Sequence, residues 1–256
     1  MEQKTFESND VIIGRNAVRE VVDSGREIDK ILVSRNVSGS AKPIISKCRQ
    51  KGILVKEVDS KKLDFMSGNA SHQGIIAIVA AHSYCEIDDI FKVAEERNES
   101  PFIIICDELE DPHNLGAVIR SAEACGAHGI IIPKRRSASL NSTVAKAACG
   151  ALEYMKVARV TNLVSSIKEL KERGVWIYAA DMDGSDWCKT DFSGACALVI
   201  GSEGRGVGEL VKKNCDAVVS MPMLGKINSL NASVAAGILM YEVTRQRLKI
   251  DAINKN

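Results

Sequence analysis

Short runs of apolar residues alternate along this chain with segments in which apolar positions recur every three or four residues. The runs predict buried strands, and the segments predict amphipathic helices. Beyond about residue 87 the alternation is regular, which is typical of a mostly parallel sheet with helices on both faces. The strands predicted there are 102–106, 129–132, 154–160, 176–180, 197–200 and 217–221, and the helices are 87–97, 114–125, 143–152, 163–173, 207–214 and 229–248.

The first 80 residues show the same alternation on a smaller scale. The pattern predicts strands at 11–14, 30–33, 53–58 and 74–80 and helices at 16–24, 43–51 and 60–66. The sequence therefore predicts a small α/β domain over residues 1–80, a polar linker over 81–86 and a larger α/β domain over 87–256.

Composition narrows the class of protein. Of the 256 residues, 45% are hydrophobic and 26% are charged, as in an ordinary folded protein. The apolar runs are too short to cross a bilayer, and acidic residues stand where a signal peptide needs an apolar stretch, so we expect a cytoplasmic protein. The eight cysteines form no C-x-x-C pair and the four histidines have no metal spacing, so we expect reduced thiols and no metal centre.

The charge balance permits a nucleic-acid partner without requiring one. The net charge is +1 over the whole chain. Residues 1–82 carry 13 lysines and arginines against 10 acidic residues, an excess of +3. If RNA binds, this excess favours the N-terminal domain as its contact surface.

Three polar clusters interrupt the apolar pattern, each close behind a predicted strand. They are 107–120 (DELEDPHNLGAVIR), 201–208 (GSEGRGVG) and 225–233 (GKINSLNAS). Open α/β sheets bind ligands at the carboxyl ends of their strands, so the clusters predict a functional site there. The glycines of the second cluster permit close backbone approach, but their spacing is neither that of a dinucleotide-binding turn nor that of a P-loop.

Each polar residue in these clusters has a structural interpretation beside a functional one. Asn114 could cap a helix, and Asn228 or Ser229 could cap another. Arg120 could lie on a solvated face, but its apolar neighbours predict partial burial against an anionic or carbonyl partner. Because Asn114 and Arg120 are six residues apart, close to two helical turns, we expect them to point broadly the same way. Glu203 suits a cationic or hydrogen-bond-donating ligand better than a phosphate.

Taken together, the clusters resemble the SpoU/TrmH class of the SPOUT RNA methyltransferases. They are most similar to the RlmB-type enzymes, which methylate a guanosine 2'-hydroxyl in 23S ribosomal RNA. The similarity covers motif one at 112–122 (PHNLGAVIRSA), motif two at 198–204 (LVIGSEG) and motif three at 221–223 (MPM) followed by 229–235 (SLNASVA). Three motifs in order and at the expected separations are far more specific than any one of them.

The resemblance implies several properties that the pattern does not show. They are a C-terminal α/β fold with a deep trefoil knot, S-adenosylmethionine (SAM) as cofactor, a homodimer through the C-terminal domain, and a small N-terminal domain that binds RNA and resembles a ribosomal protein. By motif, Ile200, Gly201, Met221 and Leu230 would contact SAM, largely through backbone groups.

The same resemblance assigns Asn114, Arg120, Glu203, Ser229 and Asn231 to catalysis. Two roles stay open for Arg120: it stabilises the developing alkoxide and binds phosphate, or it accepts the hydroxyl proton. Arginine keeps its proton to about pH 12, which favours the electrostatic role. Asn114 would orient Arg120 or the ribose, Ser229 and Asn231 would hydrogen-bond the site wall and the substrate, and Glu203 would order the loop of motif two.

Three other functions compete with a ribosomal RNA methyltransferase. A tRNA 2'-O-methyltransferase would share the motifs. A non-catalytic rRNA-binding or ribosome-assembly protein on the same fold would have no evident need for them. A nucleotide-dependent oxidoreductase is disfavoured, because the G-x-G-x-x-G turn and its downstream ribose-binding acid are missing.

Overall fold

The computed structural model describes residues 10–35, 37 and 39–250. The expectation that there is no signal peptide concerns the acidic N-terminal stretch. Residues 1–9 of that stretch lie outside the described residues. The described residues fold as two compact units, one reaching to Ser83 and including Ser139–Ser142, the other comprising Tyr84–Ala138 and the chain from Thr143. In the described ranges, no helix is long and apolar enough to cross a membrane.

The first unit is a four-stranded mixed sheet covered by helices. Its strand order is β1-β4-β2-β3, with β2 parallel to β3 and antiparallel to β4. Every residue of β4 is buried, because helices pack on both of its faces. The elements are β1 (Val11–Ile13), α1 (Arg15–Ser24), β2 (Ile28–Ser34), α2 (Lys42–Gln50), β3 (Leu54–Val58), α3 (Ser60–Met66) and β4 (Ile75–Val79).

The second unit is a six-stranded parallel sheet with the order β10-β8-β9-β5-β6-β7. The central strands β5 and β9 are buried along their whole length, which is why they read in the sequence as unbroken apolar runs. The elements are α4 (Ile87–Arg97), β5 (Phe102–Cys106), α5 (Pro112–Ala124), β6 (Gly129–Pro133), α6 (Ser142–Ala148), β7 (Lys156–Val160), α7 (Leu163–Glu172), β8 (Trp176–Asp186), β9 (Cys196–Ile200), α8 (Glu209–Lys212), β10 (Ala217–Ser220) and α9 (Ala232–Arg247).

The carboxyl ends of β5, β8, β9 and β10 meet at one edge of this parallel sheet. All three polar clusters leave the sheet there, as the strand pattern predicts. From the edge strand β10 the chain returns across this edge to α9, which packs against α5 and β9. The site is assembled at that crossing.

Several predicted elements differ from the structure; the helix predicted at 143–152, for example, ends at Ala148. The helix predicted at 207–214 is a single turn, Glu209–Lys212, because Val207 is buried in the loop before it. The final helix begins at Ala232 rather than Ser229, because Asn231 caps it. Strand β8 continues to Asp186, well past the predicted end at 180.

Candidate active site

A hydrogen-bonded polar network joins the three clusters. The Asn114 Nδ2 donates to Glu203 Oε1 at 2.9 Å. The Asn231 Nδ2 lies 2.9 Å from Asn114 Oδ1 and 2.5 Å from Glu203 Oε1. The Ser233 hydroxyl adds bonds to Asn231 Oδ1 at 2.6 Å and to Asn114 Oδ1 at 3.3 Å. Asn114 is 89 positions from Glu203 and 117 positions from Asn231, so the network joins residues that are distant in the sequence.

The local sequence explains why Asn114 is free for this role. Asp111 caps α5 by accepting from the His113 N–H at 3.1 Å, and Pro112 opens the first turn. Asn114 is therefore inside the helix and 6% exposed, so its interpretation as the helix cap is wrong. A buried amide needs partners, and Glu203 and Asn231 supply them.

Asn231 has two functions that the sequence did not separate. Its Oδ1 caps α9, accepting from the Ser233 N–H at 3.0 Å and the Val234 N–H at 3.3 Å. Its Nδ2 simultaneously donates to the network. The expectation that Asn228 or Ser229 caps this helix is wrong; Ser229 lies exposed on the wall of a cavity beside the network.

Arg120 differs most from its prediction. Its side chain is exposed rather than partly buried, and its guanidinium lies 3.4 Å from the sulfur of Cys149. Six residues of α-helix turn about 600°, roughly 120° short of two full turns, so Arg120 and Asn114 face different ways. The network therefore holds Asn114, Glu203 and Asn231 together, and Arg120 stands apart from it.

A cavity of about 280 Å³ adjoins the network. All four residues predicted to contact SAM line it, namely Ile200, Gly201, Met221 and Leu230, together with Glu203 and Ser229. A second cavity, of about 310 Å³, is also lined by Glu203, together with Asn114. Glu203 thus borders both spaces, and the wall of the first carries polar residues, Asp181 and Ser229 among them, beside its apolar and glycine residues.

The loop of motif two is fixed by backbone packing. Ser202 and Gly206 exchange backbone hydrogen bonds of 3.1 and 3.0 Å. A Cβ on Gly201 would lie 2.0 Å from the carbonyl carbon of Gly206, so a side chain at 201 cannot be accommodated. The glycine is therefore needed because two backbone segments cross here.

Asp107 anchors the far end of the same loop and was not singled out from the sequence. It is 5% exposed, and its Oδ2 accepts from the Gly208 N–H at 2.8 Å. Burial raises the pKa of this carboxyl, while the Gly208 hydrogen bond opposes that rise. Its position directly after the buried strand β5 is the sequence signal that could have identified it.

Metal binding and thiol chemistry receive no support from the site. Among the described residues, no three histidine, cysteine or acidic side chains are grouped so that they could hold a metal ion. The cysteines are free thiols; Cys149 and Cys188 are exposed. Burial raises the pKa of Cys106 to about 12.

Comparison with known proteins identifies the family. The model of the SpoU rRNA methylase family matches residues 101–241, and a model described as RNA 2'-O ribose methyltransferase substrate binding matches residues 11–85. YacO of Bacillus subtilis (strain 168), whose name assigns it to the TrmH family of tRNA/rRNA methyltransferases, is 52% identical over 94% of this chain and 97% of its own. A Staphylococcus aureus (strain MSSA476) protein assigned to the same family is 44% identical over 95% of this chain and 98% of its own.

The fold is also that of a solved member of the family. The SpoU methyltransferase AviRb from Streptomyces viridochromogenes, solved in complex with the cofactor AdoMet, aligns with a TM-score of 0.60 and 25% identity, covering 93% of this chain and 90% of that one. With the three motifs meeting at one edge of the parallel sheet, these matches show that the chain belongs to the SpoU rRNA methylase family.

Proposed function

We propose that this protein is a SAM-dependent methyltransferase that acts on a ribose 2'-hydroxyl in RNA, and that its target is a guanosine of 23S ribosomal RNA. The observation that carries the proposal is the cavity beside the Asn114–Glu203–Asn231 network. It gathers residues of motifs two and three around a space whose wall includes Glu203, the residue that accepts a hydrogen bond from the buried Asn114 amide of motif one.

The cavity suits a nucleoside cofactor, because its wall carries both apolar and polar residues. Ile200, Met221 and Leu230 supply apolar wall, and Gly201 and Gly206 bring backbone groups close to the space. These residues would hold SAM, which supplies an activated methyl group on a positively charged sulfur. Since that charge disappears as the methyl group leaves, a wall without an unpaired anion beside the sulfur favours the transition state.

Polar residues of the chain would hold the ribose of the RNA substrate. The second cavity opens against Asn114 and Glu203, and the network fixes both side chains before substrate arrives. Such preorganisation is the main source of rate in transfers between oriented groups. Ser229 lies on the cavity wall, where its hydroxyl can reach a bound ligand.

Arg120 is assigned to the RNA phosphate and the developing alkoxide. Its exposure leaves the guanidinium accessible to a polyanion, and its forked donors match a phosphate. With SAM bound, the carbon–sulfur bond would break as the new carbon–oxygen bond forms, and the 2'-hydroxyl proton would pass to water. The Arg120 cation would stabilise the negative charge that develops on the oxygen.

We propose a homodimer through the exposed apolar face of α5 and α9. Val234, Ile238 and Tyr241 are 50%, 36% and 58% exposed on one side of α9. Together with Ala117 of α5 they line an open, mainly apolar surface. Exposed apolar surface of this kind favours a protein partner. A second copy docked here would bring Arg120, three residues after Ala117, to the edge of the interface.

We propose further that the C-terminal chain is threaded into a trefoil knot. The segment between β10 and α9 crosses the carboxyl edge of the sheet, where the loop 201–208 also emerges, and both line the same cavity. The family resemblance supplies the specific topology. Since RNA is the proposed substrate, we expect the enzyme to act in the cytoplasm.

We assign the first unit to RNA binding, as the substrate-binding family model supports. Lys61 and Lys62 are exposed on it. Each phosphate contact adds about 0.7–0.9 to the slope of log affinity against log salt. Lys61→Glu and Lys62→Glu should each weaken RNA binding and flatten that slope, and more so together, while the single reversal Lys168→Glu in α7 should not. An unchanged slope in the double variant would move the RNA surface elsewhere.

The test of the proposed function is to map ribose methylation in a strain that lacks the gene. We expect one 2'-O-methylguanosine to disappear from 23S rRNA and to return on complementation with the wild type. Loss of a methyl group from tRNA instead would identify tRNA as the substrate. Intact methylation of both RNAs, with no methyl transfer from labelled SAM to RNA from the deletion strain, would refute it.

A further inference from the structure

A short irregular segment of strand β8, residues 180–184, contributes to the wall of the cavity; we call it the excursion. Ala179 pairs with Val218 of β10, but the next β10 residue, Val219, pairs with Ser185. Residues 180–184 therefore leave the ladder at the carboxyl edge of the sheet. The excursion ends at Gly184. Only glycine fits there, because a Cβ would lie 2.7 Å from the backbone of Val218.

Asp181 lies on this excursion and lines the cavity. Its Oδ1 accepts from the Met182 N–H at 2.6 Å, and its Oδ2 accepts from the Lys212 ammonium at 2.7 Å. The Lys212 and Asp181 side chains are only 24% and 14% exposed, and their hydrogen bond raises the pKa of Lys212. The carboxylate is thus held in one orientation by the backbone and by α8.

This carboxylate keeps the capacity to bind a ligand. An ionised carboxylate accepts about four hydrogen bonds, two on each oxygen, and Met182 and Lys212 use one on each. One acceptor position stays available on each of the two adjacent oxygens. In Glu203, the other carboxylate on the cavity wall, Asn114 and Asn231 both donate to Oε1, so its two oxygens are not equally available as a pair.

Two adjacent acceptor oxygens in a nucleoside-sized cavity match a vicinal diol. We infer that Asp181 binds the ribose 2'- and 3'-hydroxyls of the nucleoside cofactor and is a determinant of cofactor specificity; the inference rests on the proposed function. Carboxylates bind the ribose of dinucleotides in the same chemical manner. Gly206 lies opposite, and a Cβ there would contact Asp181 Oδ2 at 3.6 Å, so the glycine leaves this oxygen accessible to a ligand.

Lys212 makes such a carboxylate compatible with methyl transfer. An unpaired anion in the cavity would stabilise the positively charged sulfur of the ground state and so slow methyl transfer. Lys212, which also contacts the exposed Glu209 at 3.3 Å, offsets the charge of Asp181 and fixes it at the wall. Asp181 therefore provides acceptors for hydroxyl groups with a cation beside it.

The experiment measures binding of S-adenosylhomocysteine and of its 2'-deoxy and 3'-deoxy analogues by calorimetry. A hydrogen bond to a charged group is worth about 10-fold to 100-fold in affinity. Wild type should bind each deoxy analogue at least about 10-fold more weakly than the parent. Asp181→Asn should weaken binding of the parent and reduce this discrimination. Asp183→Asn, which changes an exposed carboxylate of the same excursion, should behave as wild type.

Each outcome decides the inference. Asp181→Asn with wild-type discrimination would refute the ribose role while leaving the proposed function intact. Wild type that binds no S-adenosylhomocysteine would refute the proposed function and the inference with it. If Asp181→Asn does not fold, as judged by thermal melting, wild type still decides, because equal affinity for the parent and both deoxy analogues would refute the diol contact.

Discussion

Replacing Asn114 by aspartate should break the polar network with almost no change of shape. Asn114 Nδ2 donates to Glu203 Oε1 at 2.9 Å, and its Oδ1 accepts from Asn231. Asn114→Asp exchanges the donor for a second acceptor and sets a carboxylate against Glu203. The substitution therefore tests the network directly, because packing volume and helix position stay the same.

The magnitude follows from the geometry. Losing a hydrogen bond to a charged group costs about 1.5–3 kcal/mol. Two carboxylates about 4 Å apart repel by up to ~4 kcal/mol at an effective dielectric constant near 20. Glu203 is exposed and can turn away from the new charge, so we expect a loss of roughly 2–4 kcal/mol. At about 2–4 °C per kcal/mol for a domain of this size, the melting temperature should fall by at least about 4 °C.

The assay compares melting temperature, S-adenosylhomocysteine affinity and single-turnover methylation at pH 8 and pH 5.5. Acidification should recover part of the stability, because two facing carboxyls can share one proton. The matched control is Asn162→Asp, since the Asn162 side chain caps α7 by accepting from Val164 and Ser165, and aspartate keeps that role. Asn114→Asp with wild-type melting and turnover at pH 8 would refute the network.

Three further predictions concern other parts of the molecule. Arg120→Lys and Arg120→Ala should each lower single-turnover methylation by about 10²–10³ while leaving S-adenosylhomocysteine affinity unchanged, and near-wild-type turnover in either would refute the electrostatic role. Tyr241→Asp should convert the dimer to monomer in light scattering, and an unchanged mass would move the interface away from α9. His128 is buried, accepting from the Phe102 N–H and contacting Glu99, and burial lowers its pKa. Stability should therefore fall as pH drops below about 6.5, where the unfolded chain takes up a proton that the folded chain resists. His128→Asn should lose less melting temperature than wild type between pH 7.5 and 5.5, and an equal loss would assign the pH dependence to other groups.

The strands of the second unit could be predicted because burial on both faces leaves a strong signal. Phe102–Cys106 has no polar residue, and its observed bounds equal the predicted ones. Helix α8 could not be predicted, because apolar spacing at 207–214 is as compatible with a buried loop as with a helix. The long β8 escaped prediction for a different reason. Its polar continuation to Asp186 is held by pairing with β10, a contact whose register the local sequence does not encode.

The candidate site shows the same division between local and tertiary information. Residues within the motifs could be named from the sequence, and the cavity wall contains the four that the resemblance assigned to SAM. Their contacts could not be named, because Asn114 meets Glu203 and Asn231 only where three loops cross the sheet edge. Asp181 lies outside every motif, and its presence at the cavity depends on the register break in β8 and on Lys212 from another helix. In a site built where loops cross, tertiary contacts bring the functional residues together. Asp181 could therefore be recognised only from the pairing of β8 with β10.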